Sequence, residues 1–155
     1  MKFSSKEDIE APVETVFDML SDFEFFERAA IRRGAEVERE TAFDPPRIGA
    51  SWMVRFQLRG RSREVRVVLV EYDGPNGMRF DGHGQGIDGY LTVELLALSP
   101  SRTRMAVAMN LAPKSLSARL MVQSLKLAKS SLTKRFKLRV AEFARQLEDR
   151  QNRVA

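Results

Sequence analysis

The sequence contains no cysteine and only one histidine, His83, among its 155 residues. The absence of thiols excludes disulfides, iron–sulfur clusters, thiolate metal sites and cysteine nucleophiles. One histidine is too few for a histidine-based metal centre, so carboxylates are the only metal ligands left to consider. We therefore predict no metal site and no cofactor.

Long apolar runs are missing as well. The N-terminal residues have no apolar segment of the kind that a secretory signal requires. Runs such as residues 67–70 are far shorter than the roughly 20 residues that a membrane-spanning helix needs. With 43% hydrophobic and 30% charged residues, the composition is typical of a globular protein. We expect one cytoplasmic domain over residues 1–155, with its last few residues frayed.

The charge of the chain is unevenly distributed. The net charge is +5, but residues 114–155 carry eleven Lys and Arg against three acidic residues, whereas residues 1–113 are net negative. This asymmetry suggests an anionic partner, although a solvated basic helix face is the simpler explanation. No nucleic-acid motif and no interleaved aromatic residues accompany the basic ones, so nucleic acid is not expected. A weak contact between a basic C-terminal helix and an anionic membrane stays open.

Two short helices are predicted after a first strand. Pro12 suits the first turn of a helix whose apolar residues recur at helical spacing up to Leu20. Ser21 or Asp22 can cap a second helix, which Gly34 ends.

From residue 35 onward the apolar period changes to two, which indicates strands. Glycine- and proline-containing turns separate the strands, so the pattern predicts an antiparallel meander. The apolar residues of the inward phase include Trp52, Val54, Phe56, Val65, Val67, Leu69, Phe80, Leu91, Val93, Leu95, Met105, Val107, Met109 and Leu111.

A long helix is predicted from Ser115 or Ser117 to the end of the chain, with a bend at residues 130–131. Its apolar stripe consists of Leu125, Ala128, Leu132, Phe136, Val140, Phe143 and Leu147. The whole order predicts an α+β fold in which a curved antiparallel sheet wraps around this helix. Such packing tends to leave an apolar space that can hold a ligand.

Two segments carry a resemblance to a known family. Residues 9–17 (IEAPVETVF) are similar to the opening strand-to-helix signature of the START-like, or SRPBCC, superfamily, and residues 44–52 (DPPRIGASW) are similar to its turn into the third strand. The order of elements resembles the helix-grip fold of that superfamily over nearly the whole chain. Its members include the birch-pollen allergen and polyketide cyclase/dehydrase-like proteins. The resemblance implies binding of a hydrophobic or amphipathic, lipid- or polyketide-like molecule in a cavity under the long helix, which is an argument by analogy of fold.

The candidate ligand-binding residues are apolar side chains of the inward phases and of the two helical regions. Each of them is either a cavity wall or simply core. The predicted set is Phe26, Trp52, Val54, Phe56, Phe80, Leu91, Val93, Met109, Leu132 and Phe136.

A glycine-rich segment, residues 81–89, and the tyrosine that follows it hold the candidates for catalysis. The four glycines of the segment allow close approach of the backbone by a ligand or by the long helix. His83 is the first candidate for acid–base chemistry, and Asp81 and Tyr90 are weaker ones. Strand alternation places His83 on the outer side together with Asp81, so no catalytic residue is assigned.

Three functions therefore stay open. The first is a carrier of a hydrophobic ligand, the second is an enzyme of the cyclase/dehydrase type, and the third is an interaction module that uses the basic helix. Monomer and homodimer are both compatible with the sequence.

Overall fold

Seven strands and four helices make up the part of the chain described by the computed structural model, residues 1–58 and 60–154. The elements are β1 (Lys2–Ile9), α1 (Val13–Leu20), α2 (Phe23–Arg32), β2 (Glu36–Thr41), β3 (Ser51–Leu58), β4 (Arg61–Asp73), β5 (Gly77–Gly84), β6 (Ile87–Ser99), β7 (Arg102–Pro113), α3 (Leu116–Leu127) and α4 (Lys129–Val154).

The strands form one antiparallel sheet in the order β1-β7-β6-β5-β4-β3-β2. Strands β2 to β7 are a meander. Strand β1 forms the edge beyond β7 and pairs with it from Lys2 opposite Asn110 to Ile9 opposite Thr103. Helix α4 packs against the sheet, and the rings of Phe3 and Phe136 lie 5.7 Å apart between β1 and α4. The predicted α+β helix-grip architecture is confirmed.

Helix α1 begins at Val13, one residue after the predicted first position, whereas α2 begins after Asp22 and ends before Gly34 as predicted. Pro12 precedes α1 in an extended conformation, and the Asp22 carboxylate caps α2 by accepting the Phe25 N–H at 3.4 Å. Gly34, with a φ of 95°, follows the end of α2 in the left-handed region that favours glycine. Helix α1 is anchored in the core, whereas α2 has no fully buried residue and lines a cavity.

The C-terminal helix differs from the single helix that the sequence predicts. The chain forms α3 and α4, separated at Ala128, which is earlier than the predicted bend at residues 130–131. The apolar side of α3, with Val122 and Leu125 buried, faces β7, whereas α4 packs against β1. The two helices therefore pack against different, adjacent strands of the sheet.

No helix within residues 1–58 and 60–154 is both long enough and apolar enough to span a bilayer.

Candidate ligand-binding site

A cavity of about 1030 Å³ lies between the inner face of the sheet and helices α2 and α4. Strands β2 to β7 contribute to its wall, together with Leu20 at the end of α1. Its size is at the upper end of the range of about 300–1,000 Å³ that is typical of small-molecule sites.

Strand register makes the sheet side of the cavity a continuous apolar surface. Directly opposite residues of neighbouring antiparallel strands present their side chains on the same face. Phe80 of β5 pairs with Leu91 of β6, which in turn pairs with Met109 of β7. Val54 pairs with Val65 in the same way on β3 and β4.

Two glycines interrupt this apolar surface. Gly82 of β5 and Gly89 of β6 are directly opposite each other and both line the cavity. With no side chain on either residue, neighbouring groups approach both backbones closely at this point. The close helix approach expected for this glycine-rich segment occurs at Gly86, whose carbonyl accepts hydrogen bonds from the backbone N–H groups of Lys114 (2.6 Å) and Ser115 (3.2 Å).

Aromatic rings connect the sheet to α2 and α4. The ring of Phe23 lies edge-on to Trp52 at 5.2 Å and to Phe80 at 5.8 Å. The centre of the Phe26 ring lies 5.0 Å from the centre of the Phe143 ring of α4. Ring pairs in this geometry contribute stability beyond their buried area, so this end of the cavity has a well-defined shape.

Glu27 of α2 lines the cavity, and no sequence pattern singled it out as a candidate. Its carboxylate accepts a hydrogen bond from the Trp52 indole N–H at 2.9 Å and two more from the Arg39 guanidinium at 2.9 and 2.8 Å. Arg39 stands opposite Trp52 across β2 and β3, so the three side chains form one cluster. The signal in the sequence was the position of Glu27 one helical turn after Phe23, which places both residues on the same helix face.

Alternation directs the side chains of the catalytic candidates to the opposite face of the sheet, although Asp81 and Tyr90 are also among the residues that line the cavity. Because Phe80 and Gly82 line the cavity on a strand with regular register, alternation directs Asp81 and His83 to the outer face. The His83 side chain is 56% exposed, and its Nδ1 is 3.5 Å from Asp88 Oδ1.

The neighbours of these candidates are also charged outer-face residues. The Arg79 guanidinium donates to Asp81 at 2.9 Å and stacks 4.3 Å from the centre of the Tyr90 ring. Asp88 forms a close ion pair with Lys114. The hydrogen bond from Lys114 holds the pKa of Asp88 below its usual value, against the raising effect of burial. These contacts account for the polar residues as surface ion pairs.

The comparison with protein families gives one match, to the model of polyketide cyclases/dehydrases and lipid transport proteins, and it spans residues 1–148. The chain belongs to this family. This confirms the resemblance to the START-like superfamily seen in segments 9–17 and 44–52. No protein of curated function matches the sequence significantly.

Solved structures of similar fold show how this family member compares with distant relatives. A protein from Thermus thermophilus superposes with a TM-score of 0.69 at 15% identity, covering 95% of this chain and 97% of its own. The Zhui aromatase/cyclase from a Streptomyces species superposes with a TM-score of 0.65 at 14% identity, covering 100% of this chain and 96% of its own. A START superfamily protein from Mycobacterium smegmatis superposes with a TM-score of 0.57 at 15% identity, covering 86% of this chain and 95% of its own. At these identities the likeness shows the shared fold.

The cavity of this family member brings together most of the predicted ligand-binding residues. Phe56 and Leu132 are outside the set that surrounds it. Phe56 follows Val54 on the same face of β3, opposite Arg63 and nearer the end of the strand, and Leu132 lies one turn before Phe136 on α4. The predicted residues that do surround the cavity are Phe26, Trp52, Val54, Phe80, Leu91, Val93, Met109 and Phe136.

Polar residues border the cavity at the end formed by α2 and α4. They include Arg32 and Arg33 at the end of α2, and the pair Arg139–Glu142 on α4, whose charged atoms are 3.5 Å apart. Within residues 1–58 and 60–154, no three His, Asp or Glu side chains are grouped in a way that could hold a metal ion.

Proposed function

We propose that this protein binds a hydrophobic or amphipathic small molecule, lipid- or polyketide-like, in the cavity between the sheet and α4. The observation that carries the proposal is the cavity of about 1030 Å³ with walls of apolar and aromatic side chains. Protein interiors are packed at crystal-like density and hold few voids larger than a water molecule. A space of this size is therefore best explained as a binding site.

The distribution of polarity around the cavity favours a ligand with one polar end. The sheet wall offers aliphatic and aromatic contacts to an apolar body. Arg32 and Arg33, at the end of α2, offer cationic hydrogen-bond donors to a polar or acidic group. A fatty acyl chain or a fused-ring polyketide with one oxygenated end has this character.

A cyclase/dehydrase-type enzyme is the alternative, and one relative of similar fold is an aromatase/cyclase. Such a reaction requires an acid–base group within hydrogen-bonding reach of the substrate. Asp81 and Tyr90 are among the residues that line the cavity, but strand alternation directs their side chains, and that of His83, to the outer face, where Arg79 bonds to Asp81 and stacks on Tyr90. The Glu27 carboxylate is already bonded to Trp52 and Arg39. These contacts favour binding or transport over catalysis. We further propose that this function is carried out in the cytoplasm by a monomer or homodimer.

Native mass spectrometry of the gently purified protein, followed by organic extraction, tests the proposal. We expect a stoichiometric hydrophobic adduct, or saturable binding of anilinonaphthalene sulfonate where the mass is clean. Leu91→Trp places a large side chain in the cavity and should abolish both signals. The matched control Thr92→Trp adds the same side chain at the next residue of β6, on the opposite face, and should preserve them. A clean mass together with no binding of the probe would refute a ligand-binding cavity.

A second candidate function is contact with an anionic membrane through the C-terminal helices. One observation favours it: residues 114–141 contain eight Lys and Arg and no Asp or Glu, and all eight basic residues are exposed. A run of this kind attracts anionic lipid surfaces, with each basic residue near the surface contributing about 1 kcal/mol.

A further inference from the structure

Helix α3 has apolar residues on two opposite sides. One side, with Ala118, Val122 and Leu125, is buried against the rest of the protein. The other side carries three leucines that are largely exposed to solvent: Leu116 (74%), Leu120 (59%) and Leu127 (91%).

These three leucines form one stripe. At 3.6 residues per turn, positions 116, 120 and 127 project within about 40° of one another around the helix axis. Single exposed leucines are common on protein surfaces, but an aligned exposed set marks an interaction site. We call Leu116, Leu120 and Leu127 the leucine stripe.

Positive charge flanks one side of the leucine stripe. Arg119 and Lys126 lie on the same helix, and Lys129 begins α4 directly after it. Within the described residues, none of these three forms a salt bridge. Burial first, and then the charges of Lys126 and Lys129, lower the pKa of the Met1 ammonium group, which agrees with a positive local potential.

We propose that α3 docks this protein on an anionic lipid bilayer, with the leucine stripe entering the hydrocarbon boundary and Arg119 and Lys126 contacting the headgroups. An amphipathic helix with leucines on one face and basic residues beside them has the character of an interfacial membrane helix. The proposal rests on the second candidate function and extends it, because charge alone gives adsorption, whereas the stripe gives insertion.

A bilayer fits this surface better than an acidic protein does. The leucines project from a convex helix, so a protein partner would need an apolar groove shaped to receive them and an acidic rim around it. An anionic bilayer supplies apolar contact and negative charge to any convex surface without such a groove.

The docking surface is also next to the ligand cavity. The backbone N–H groups of Lys114 and Ser115, just before α3, bond to the carbonyl of Gly86. The following residue, Ile87, lines the cavity. Docking through α3 therefore brings one edge of the cavity wall to the membrane surface, where a lipid-like ligand would be exchanged.

Co-sedimentation with vesicles tests the proposal on the full chain. We expect retention on vesicles of equal parts phosphatidylcholine and phosphatidylglycerol, little retention on phosphatidylcholine alone, and a decrease with added salt. The triple variant Leu116→Ser/Leu120→Ser/Leu127→Ser keeps the net charge and should lower the partition coefficient at least about tenfold, given about 0.8 kcal/mol for each CH₂ group buried. The matched control Leu96→Ser/Leu98→Ser removes exposed leucines of β6 and should partition like the wild type.

Two further measurements complete the test. Arg119→Glu/Lys126→Glu should also lower retention on the anionic vesicles at least about tenfold. In Leu120→Trp, the added indole should shift its emission to shorter wavelength with anionic vesicles, a readout that does not depend on the stability of the triple variant.

Three results would overturn the proposal: no retention of the wild type on the mixed vesicles, equal retention of the leucine triple variant, or an unshifted Leu120→Trp spectrum. Tight binding to soluble polyglutamate that the leucine substitutions leave unchanged would instead assign the surface to an acidic protein. Native mass spectrometry reads the cavity independently, so failure of membrane docking and failure of ligand binding are distinguishable.

Discussion

Gly82 of β5 lies directly opposite Gly89 of β6, and both glycines line the cavity. The two positions differ in what an added methyl group would meet. A Cβ on Gly89 would stand 2.7 Å from the backbone carbonyl oxygen of Asn110, whereas a Cβ on Gly82 would stand 3.3 Å from a methyl group of Val65. A carbonyl in the middle of a ladder cannot retreat without breaking sheet hydrogen bonds, but a side-chain methyl can shift.

The first prediction compares alanine at these two positions. We expect Gly89→Ala to lower the free energy of unfolding by about 1–3 kcal/mol, the usual cost of overpacking. Gly82→Ala should cost less than about 1 kcal/mol, because alanine also restricts the unfolded chain. Urea denaturation of both variants measures the difference. A Gly82→Ala variant that is as unstable as Gly89→Ala would contradict this account of the cavity wall.

The second prediction concerns the hydrogen bond from Trp52 to Glu27. Glu27→Ala leaves the indole N–H of a buried residue without its acceptor and should cost about 1–3 kcal/mol of stability. Glu27→Gln keeps an acceptor for Trp52 and weakens the partly exposed pair with Arg39, at about 0.2–1 kcal/mol. Because Trp52 is the sole tryptophan, its fluorescence reports on both variants. Equal loss of stability in the two variants would show that the Arg39 pair, and not the indole bond, is the stabilising contact.

The third prediction is a pH dependence that arises from Asp88. The hydrogen bond from Lys114 is the largest cause that lowers the pKa of Asp88 below its ordinary value of 3.8. A carboxyl with a lowered folded-state pKa stabilises the protein above the ordinary value, and this contribution is lost as the pH falls through the lowered pKa. The wild type should therefore be more stable than Asp88→Asn at neutral pH, and the difference should shrink below about pH 4.

Lys114→Gln provides the control for this prediction. In that background, Asp88→Asn should have a much smaller effect at neutral pH, because the largest cause of the shift has been removed. Thermal unfolding of the four proteins of this cycle at several pH values gives the comparison. A gap between wild type and Asp88→Asn that stays constant from neutral to acid pH would rule out the ion pair as its source.

Local chemistry in the sequence was sufficient to predict the order of elements from β1 to β7. The proline before α1, the Asp22 cap, the glycine after α2 and the alternation along β3 to β7 all act over a few residues, and each is visible without tertiary structure. The same alternation predicted that His83 faces away from the apolar interior. The family signature in residues 9–17 belongs to this local level as well.

Alternation fails where a strand changes its register. Between Leu69 and Glu71 the pairing of β4 with β5 shifts, and this bulge turns Tyr72 inward, where its hydroxyl donates to Ser21 Oγ at 2.7 Å and its ring contacts Phe17 at 5.1 Å. Counting by twos from Leu69 would place Tyr72 outside. A bulge is decided by the packing of the whole sheet, so the apolar pattern of β4 does not reveal it.

What the sequence determined by itself is which residues form helices and strands and which face of each is apolar, because helix caps, turns and hydrophobic periods depend on near neighbours. What only the tertiary structure decided is where those faces meet. The helix breaks at Ala128, with α3 packed against β7 and α4 against β1. The cluster of Glu27 with Trp52 and Arg39 joins residues from α2, β2 and β3. Phe56 shares the face of Val54 yet lies outside the cavity. These features depend on distances between elements remote in the chain, which no local pattern encodes.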